Sequence, residues 1–239
     1  MHKIKGSELE KVEKLGFHID NLTSETPELF LSKFTGLKLH ELSQELSDIL
    51  MTLTSPDIDR IITLDDPPPS VSIQFIYTGS TDPEKRLVFS RKFELDKELS
   101  VKHEYFDLPP SSRRKGTGKK VLNICLKQYI NMGVVKIYVH AALQDGGYVW
   151  ARAGFKALYK QEMKEILDIC KKKLPPLELT IVKGIFDDYY SNDPEGSAFP
   201  IEDWSRLPSM ENILRGSSWH GRIDLSDSQE FNNFRTYVS

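Results

Sequence analysis

The chain has 239 residues, of which 39% are hydrophobic and 28% are charged. This length and composition are typical of a globular protein with one large domain, or one medium domain and an appendage. The net charge of −3 gives no overall electrostatic case for nucleic-acid binding, although a local basic patch can still bind an anion. No apolar run approaches the ~20 residues that a membrane-spanning helix needs, and the first residues lack the apolar core of a signal peptide. We therefore expect a cytoplasmic protein that does not insert into a membrane.

The two cysteines, Cys125 and Cys170, each lie within a helix-like apolar pattern. Neither has a Cys-x-x-Cys partner or a histidine at metal-ligand spacing. We therefore expect two buried, reduced thiols, with neither a disulfide nor a metal site.

Residues 1–66 are predicted to form a helical N-terminal segment. Gly16 and Pro27 interrupt the pattern, so two or three short helices are expected in place of a long one. The last of these helices carries apolar residues on one face at Leu39, Leu42, Leu46, Ile49 and Leu50. The run Asp65–Ser70 contains three consecutive prolines and predicts a boundary, because proline fits neither a helix interior nor a central strand.

After this run the apolar period changes to two. Strands are predicted at 71–79, 86–95 and 100–108, and the short turns at 80–83 and 96–98 make them an antiparallel meander. A helix is then predicted over 117–131, closed by Gly133, and an apolar strand over 134–143. The later predictions are a short helix ending at Gly154, a helix over 156–174, a strand over 177–186, and short helices within 202–215 and 226–238.

These elements predict a mixed α/β fold of the α+β type. We expect a central mixed sheet that includes the antiparallel meander, helices on both of its faces, and a C-terminal extension. The predicted organisation is a helical segment at 1–66, a ligand-binding domain at 67–186, and an extension at 187–239 that packs on the same domain.

The most distinctive segment is Arg113-Arg114-Lys115-Gly116-Thr117-Gly118-Lys119-Lys120, which we call the basic glycine loop. It follows a predicted strand and opens a predicted helix. Glycine permits a positive φ and has no Cβ to obstruct a ligand, and a helix N-terminus offers unpaired N–H groups and a positive dipole end. The loop therefore predicts a site for a phosphate-bearing ligand.

Two well-known phosphate-binding spacings do not fit the basic glycine loop. A P-loop would need glycine at 113 and serine or threonine at 120, where this chain has Arg113 and Lys120. A dinucleotide fingerprint would need a third glycine three residues after Gly118, and Val121 stands there. The sequence therefore indicates a different class of phosphate site.

The loop resembles that of the GNAT superfamily of acyl-CoA-dependent N-acyltransferases, whose pyrophosphate loop follows Gln/Arg-x-x-Gly-x-Gly/Ala. Here the motif runs from Arg113 to Gly118, after a strand with Phe106 and Leu108 and a bend at Pro110. The resemblance covers about residues 71–155 and ends in Gly154-Phe155, which also follows a helix in the family. It implies a GNAT-like sheet and direct transfer of an acyl group, most simply acetyl, from acyl-CoA to the amine of a small molecule or a protein.

The resemblance also implies which residues hold the acyl-CoA. Backbone N–H groups of about 114–119 would bind the pyrophosphate, and the strand at 134–143 would hold the thioester. The implied cofactor-binding residues are Leu108, Arg113, Arg114, Lys115, Gly116, Thr117, Gly118, Lys119, Val139, His140 and Ala141.

The chain departs from the family at the position of the usual general acid. Many members carry tyrosine four residues before the glycine of Gly-Phe, and this chain carries Trp150. An indole N–H donates a hydrogen bond but does not release a proton near neutral pH. Tyr148 is the predicted substitute as catalytic acid. The departure also raises an alternative function, a catalytically silent GNAT-fold module that binds a ligand or a partner.

Glu104 is the predicted general base, since the family often places one on its fourth strand facing the acceptor amine. Strand alternation predicts that Glu104 faces away from His103 and Tyr105. His103 and His140 are further candidates, because imidazole titrates near neutrality. The segments Asp187–Tyr190 and Ser217–Arg222 could line an acceptor site. A less favoured alternative is transfer to aminoacyl-tRNA, which the loop and Lys171–Lys173 permit but the acidic pI does not favour.

Overall fold

The computed structural model describes residues 7–53, 57–79, 82 and 85–239, with the side chains of 143 and 144 left out. The chain forms two compact units, Met1–Val135 with Val238–Ser239, and Lys136–Tyr237. Each unit combines helices with a β-sheet, which confirms the predicted mixed α/β class. The division between the units falls after Val135, whereas the predicted divisions fell after residues 66 and 186.

The first unit begins with helices and continues with strands and one long helix. Its helices are α1 (Glu8–Lys14), α2 (Pro27–Leu31), α3 (Leu39–Leu50) and α4 (Thr117–Met132). Its strands are β1 (His18–Asn21), β2 (Ile58–Asp65), β3 (Ser70–Tyr77), β4 (Val88–Leu95) and β5 (Leu99–Asp107). Helix α3 packs against both α1 and α4.

The strands of the first unit lie in the order β1-β2-β3-β4-β5. Strand β1 runs parallel to β2, and the other neighbours are antiparallel. The predicted meander of β3, β4 and β5 is therefore confirmed. The turn predicted at 80–83 lies mostly outside the described residues.

Strands β1 and β2 of the first unit were not predicted. Strand β2 shows that the proline run is a turn inside the sheet and does not separate two parts of the chain. Strand β2 precedes Pro67–Pro69 and pairs with β3 after it, with Asp65 opposite Ser70. The prolines therefore form the turn of a hairpin, where a missing N–H breaks no ladder. The signals that marked this run as a boundary are the same signals that favour a tight turn.

One face of this sheet is buried under α4. The rows of cross-strand neighbours on the face are Arg60-Phe75-Phe89-Phe106, Ile62-Ile73-Arg91-His103 and Leu64-Val71-Phe93-Val101. Helix α4 covers the face with Val121, Leu122, Cys125, Leu126 and Tyr129, all buried. Aromatic edges interlock across the rows, as between Phe75 and Phe89, whose ring centroids are 6.0 Å apart. This packing fixes the position of α4, and so of the loop that precedes it.

The second unit combines helices of 5 to 17 residues with a small sheet. Its helices are α5 (Leu143–Arg152), α6 (Lys160–Lys173), α7 (Pro176–Asn192), α8 (Ile201–Ser205), α9 (Glu211–Arg215) and α10 (Ser228–Val238). Its strands are β6 (Lys136–Ala141), β7 (Lys156–Ala157) and β8 (Trp219–Asp224). Within this unit β8 lies between β6 and β7 and is antiparallel to both.

The strand predicted at 177–186 is wrong, because this segment lies inside α7. Pro176 occupies the first turn, where its missing N–H costs nothing. Val182, Phe186 and Tyr190 are buried at intervals of four residues, and the indole N–H of Trp204 donates to the Val182 carbonyl at 3.1 Å. These buried side chains anchor 177–186 as part of a helix, although its apolar run alone suggests a strand.

Both cysteines are buried and carry free thiols, Cys125 in α4 and Cys170 in α6. Burial raises the pKa of each thiol, that of Cys170 to about 11.

Within the described residues, no helix is long and apolar enough to cross a bilayer.

Candidate functional site

The basic glycine loop has a backbone shape that gathers N–H groups. Strand β5 ends at Asp107, a 3₁₀ turn follows at Pro110–Ser112, and α4 begins at Thr117. Between them Arg114 has φ of 59° and Gly116 has φ of 79°. A left-handed residue followed by a right-handed one, as Gly116 is by the helical Thr117, turns successive N–H groups to the same side, which forms an anion-binding concavity.

These N–H groups are open to a ligand. Among the described residues, the backbone N–H groups of 114–118 have no acceptor, and α4 has no side-chain cap at its N-terminus. A Cβ added to Gly116 would have no heavy atom within 4 Å, and one added to Gly118 would first meet the Phe106 ring at 3.7 Å. The space above Gly116 is therefore free for another molecule, whereas the Cβ direction of Gly118 faces the Phe106 ring.

The basic side chains of the loop divide into two groups. Two hydrogen bonds hold the Arg113 side chain. Its Nε donates to the Leu108 carbonyl and its Nη2 to the Asp107 carboxylate, each at 2.9 Å. Arg113 therefore braces the loop against the end of β5. Arg114 and Lys115 are exposed, and no ion-pair partner for either occurs among the described residues. These two cations are available to an anionic ligand, as is the half-buried Thr117 hydroxyl at the start of α4.

Glu104 lies at a β-bulge near the end of β5. Arg91 pairs with His103 and Ser90 with Tyr105, so Glu104 is the extra residue of the bulge. The Glu104 carboxylate is exposed and accepts a hydrogen bond from the Ser90 hydroxyl at 2.7 Å. Bulges occur often beside active sites, because they redirect a side chain.

The bulge corrects the predicted alternation along β5. His103 shares a face with Arg91, and Tyr105 shares the opposite face with Ser90. His103 and Tyr105 therefore lie on opposite faces, and the prediction that both face away from Glu104 is wrong. A one-residue insertion in the ladder reverses every later side chain, which the sequence period alone does not reveal.

A buried cation that the sequence analysis missed supports this bulge. The Arg91 guanidinium lies over the Phe89 ring, 4.5 Å from its centroid, and its Nη1 donates to the carbonyls of Ser90 (2.7 Å) and Tyr105 (2.9 Å). These bonds satisfy carbonyls where the ladder is irregular. The sequence feature that could have revealed this cation is the position of Arg91, which falls on the inward-facing side of the alternating strand Val88–Leu95.

His103 lies in the core, out of reach of an external substrate. Its Nε2 is 2.8 Å from the Tyr129 hydroxyl. Burial, and then the nearby charge of Arg91, hold the pKa of His103 well below its usual range. The ring is therefore neutral at physiological pH, which fits a structural role.

The remaining predicted residues lie in the second unit. On β6 the side chains of Val139 and Ala141 are buried, and His140 between them is exposed. All three pair with β8 through the ladder that joins 139–141 to 219–221. The His140 Nε2 is 2.9 Å from the Ser218 hydroxyl, so the structure brings together two segments that the sequence analysis treated separately.

Tyr148 and Trp150 have different environments on α5. Trp150 is buried and packs edge-on against Phe155, with ring centroids 5.2 Å apart. Tyr148 is half-buried, and the Arg215 guanidinium lies 5.0 Å from its ring centroid. Arg215 is itself paired with Asp145 and Glu211. Of the two aromatic residues, Tyr148 is thus the one with a polar, partly open surrounding.

No group of three or more histidine, cysteine, aspartate or glutamate side chains that could hold a metal ion occurs in the described part of the chain. Comparison of the sequence with protein-family models gives no match, and no curated protein is significantly similar to it. Any assignment of function therefore depends on the residues themselves and on the resemblance carried by the loop.

Proposed function

We propose that the basic glycine loop binds the pyrophosphate of an acyl-CoA, and that the protein transfers the acyl group to an amine. The observation that carries this proposal is the open concavity at residues 114–118, which stands at the N-terminus of the 16-residue helix α4. Its N–H groups, the helix dipole, and the charges of Arg114 and Lys115 all favour a phosphate group.

Coenzyme A is proposed over other phosphates because of the order of elements around the loop. An antiparallel meander leads into the loop, α4 follows it, and the motif from Arg113 to Gly118 resembles that of the GNAT superfamily. The spacings required by a P-loop and by a dinucleotide fold are missing. We extend the same proposal to a GNAT-like fold, with acetyl-CoA as the simplest co-substrate.

Glu104 is proposed to accept the proton of the attacking amine. The amine nitrogen bonds to the thioester carbonyl carbon, the carbon–sulfur bond breaks, and the amine proton passes to Glu104 directly or through water. A solvent molecule returns a proton to the thiolate. Support for Glu104 comes from its exposure at the bulge and from the Ser90 hydrogen bond, which orients the carboxylate.

Calorimetric titration with acetyl-CoA tests the proposal. The wild-type chain should bind one equivalent, and Gly118→Glu should abolish binding, because it places a side chain and a negative charge beside the loop. The matched control is Asn131→Glu, which adds the same charge at an exposed position at the other end of α4 and should keep the affinity within about twofold, because screening attenuates distant charges. Wild-type protein that gives no binding heat would contradict the proposal, as would equal losses in the two variants.

A second candidate function is a GNAT-fold module that binds without catalysis. The observation that favours it is Trp150, which occupies the usual general-acid position and packs in the core of the second unit. Release of free thiol from acetyl-CoA in the presence of a panel of amines distinguishes the two. Transfer predicts thiol release that depends on the amine, whereas a silent module predicts none.

A further inference from the structure

A second cluster of titratable side chains lies in the second unit, around the cross-strand neighbours His140 of β6 and His220 of β8. Their imidazole rings are parallel, with centroids 4.2 Å apart and an interplanar angle of 2°. The nitrogen lone pairs of an imidazole lie in the ring plane, so two stacked rings do not converge on one metal ion. Their arrangement suits proton transfer better than chelation.

Glu162, in the first turn of α6, holds His220 by two hydrogen bonds. One carboxylate oxygen is 2.6 Å from the His220 Nδ1, and the other accepts from the His220 backbone N–H at 2.8 Å. An ionised carboxylate can only accept hydrogen bonds, so in the neutral imidazole Nδ1 carries the proton and Nε2 keeps a lone pair. The backbone N–H of Leu158 donates to the His220 carbonyl at 2.9 Å and fixes the residue further.

The lone pair of His220 is accessible. Among the described residues Nε2 has no hydrogen-bond partner, and the side chain is 42% exposed. Tyr159 stands edge-on to the ring, with centroids 5.5 Å apart. The exposed His140 and Ser218 complete the cluster, which therefore combines an oriented base with flat aromatic surfaces and a hydroxyl group.

We propose that Glu162 and His220 form a general-base site that hydrolyses an ester with a planar leaving group. The His220 Nε2 takes a proton from water as the water oxygen bonds to the ester carbonyl carbon. The bond from that carbon to the leaving oxygen then breaks, and the imidazolium returns its proton to the leaving alkoxide. An acid and an alcohol are the products, and no further reactant is needed.

The neighbours of His220 have distinct roles in this step. Glu162 is a positioning residue, because it fixes the tautomer and stabilises the positive charge that the ring acquires. The exposed Tyr159 ring offers a flat face on which a planar leaving group can stack.

Hydrolysis of 4-nitrophenyl acetate tests this site without any acyl-CoA, so its outcome is separate from that of the proposed transfer. His220→Gln should lose at least about tenfold in rate, since a positioned base contributes ~10²–10⁴-fold. The matched control is His18→Gln, because His18 is 76% exposed and its Nε2 is 2.9 Å from an Asp20 oxygen. The control should keep the wild-type rate. Equal rates in wild type and both variants would overturn the proposal.

Two further measurements separate a catalytic role from a structural one. Glu162→Gln keeps the shape of the side chain but cannot accept both hydrogen bonds, so it should lower the rate while the circular dichroism spectrum stays unchanged. The wild-type reaction should be slower in D₂O, because a proton moves in the rate-limiting step. An absent solvent isotope effect, or a stoichiometric acetyl ester on Ser218 by mass spectrometry, would overturn attack by water.

Discussion

The carboxylate of Glu104 owes its position to one inserted residue. The bulge turns it to the open face of the sheet, while Arg91 fixes the irregular backbone from the buried face. An arginine buried among phenylalanines is costly unless its N–H groups find acceptors. The Nη1 of Arg91 donates to the Ser90 and Tyr105 carbonyls, while its Nε and Nη2 have no hydrogen-bond partner among the described residues. The orientation of the Glu104 carboxylate therefore depends on the buried Arg91 side chain, which holds the backbone of the bulge in place.

Glu104→Gln should lower kcat for acetyl transfer by about 100-fold or more, because a positioned general base contributes ~10²–10⁴-fold. The KM for acetyl-CoA should change little, since Glu104 lies outside the loop. Steady-state thiol release checks both values. Glu94→Gln serves as control, because Glu94 pairs with Lys92 and Lys102 on the same sheet. An equal loss of kcat in the control would argue against a catalytic role for Glu104.

His103 should make the stability of the first unit depend on pH. Its pKa in the folded state lies well below the reference value of 6.5, so the unfolded chain binds more protons as the pH falls through 6.5. The free energy of unfolding should therefore decrease below about pH 6.5, by up to ~1.4 kcal/mol per pH unit from this residue. Urea unfolding from pH 7 to pH 5 measures the slope.

His103→Gln should flatten that slope, even where it lowers stability at pH 7, because the substituted side chain does not titrate. An unchanged slope in His103→Gln would show that another group controls the acid response.

At the scale of elements, the predicted helices and strands agree with the structure where an apolar repeat extends over many residues and ends at a glycine, a proline or a turn. Helix α4 runs to Met132 before the left-handed cap Gly133, and the meander β3-β4-β5 follows its alternation. The misassignment of α7 arose because a short apolar run fits a buried strand and a buried helix equally well. Strand β8 was not predicted, although Trp219, Gly221 and Ile223 alternate with polar residues. The intervening histidine and arginine make this short segment polar overall, which hides the alternation.

The candidate site was predictable only in part. The local backbone of the loop could be inferred from Gly116 and Gly118, because glycine spacing is a local signal. The bulge at Glu104 depends on pairing with β4, and the contact between Glu162 and His220 joins residues 58 apart in sequence. Long-range pairings of this kind leave no periodic trace in a single sequence.

The helical assignments of α7 and α5 each predict the effect of a substitution at one glycine. Gly184 lies inside α7 with nothing within 4 Å of an added Cβ, so Gly184→Ala should raise stability by ~0.5–1 kcal/mol. Gly147, inside α5, has the Leu214 carbonyl and the Ser217 hydroxyl where a Cβ would stand. Gly147→Ala should therefore lower stability by ~1–3 kcal/mol. Chemical denaturation measures both, and a loss of stability in Gly184→Ala would contradict the helix.

The two ends of α4 offer a matched pair of substitutions. Gly116 and Gly133 have φ of 79° and 68°, and neither has a heavy atom within 4 Å of an added Cβ. Alanine at either position should cost ~1–2 kcal/mol for the left-handed backbone. Only Gly116→Ala should also weaken acetyl-CoA binding in a calorimetric titration. Equal effects on affinity would place the ligand away from the loop.

At the scale of the whole molecule, charge is distributed in a way that suits a small anionic ligand. The net charge is −3, while Arg114 and Lys115 at the loop have no carboxylate partner among the described residues. The overall charge gives no electrostatic case for nucleic-acid binding, and two exposed cations beside a helix N-terminus favour a phosphate group.

Backbone amide NMR during titration with acetyl-CoA is the most direct test of the proposed function. Because the N–H groups of 114–118 are proposed to donate to the pyrophosphate, their ¹H and ¹⁵N resonances should show the largest saturable shifts in the first unit. Gly133, at the far end of α4, should be unaffected and serves as the internal reference. Saturable shifts confined to other segments, or no shifts at all, would contradict acyl-CoA binding at the basic glycine loop.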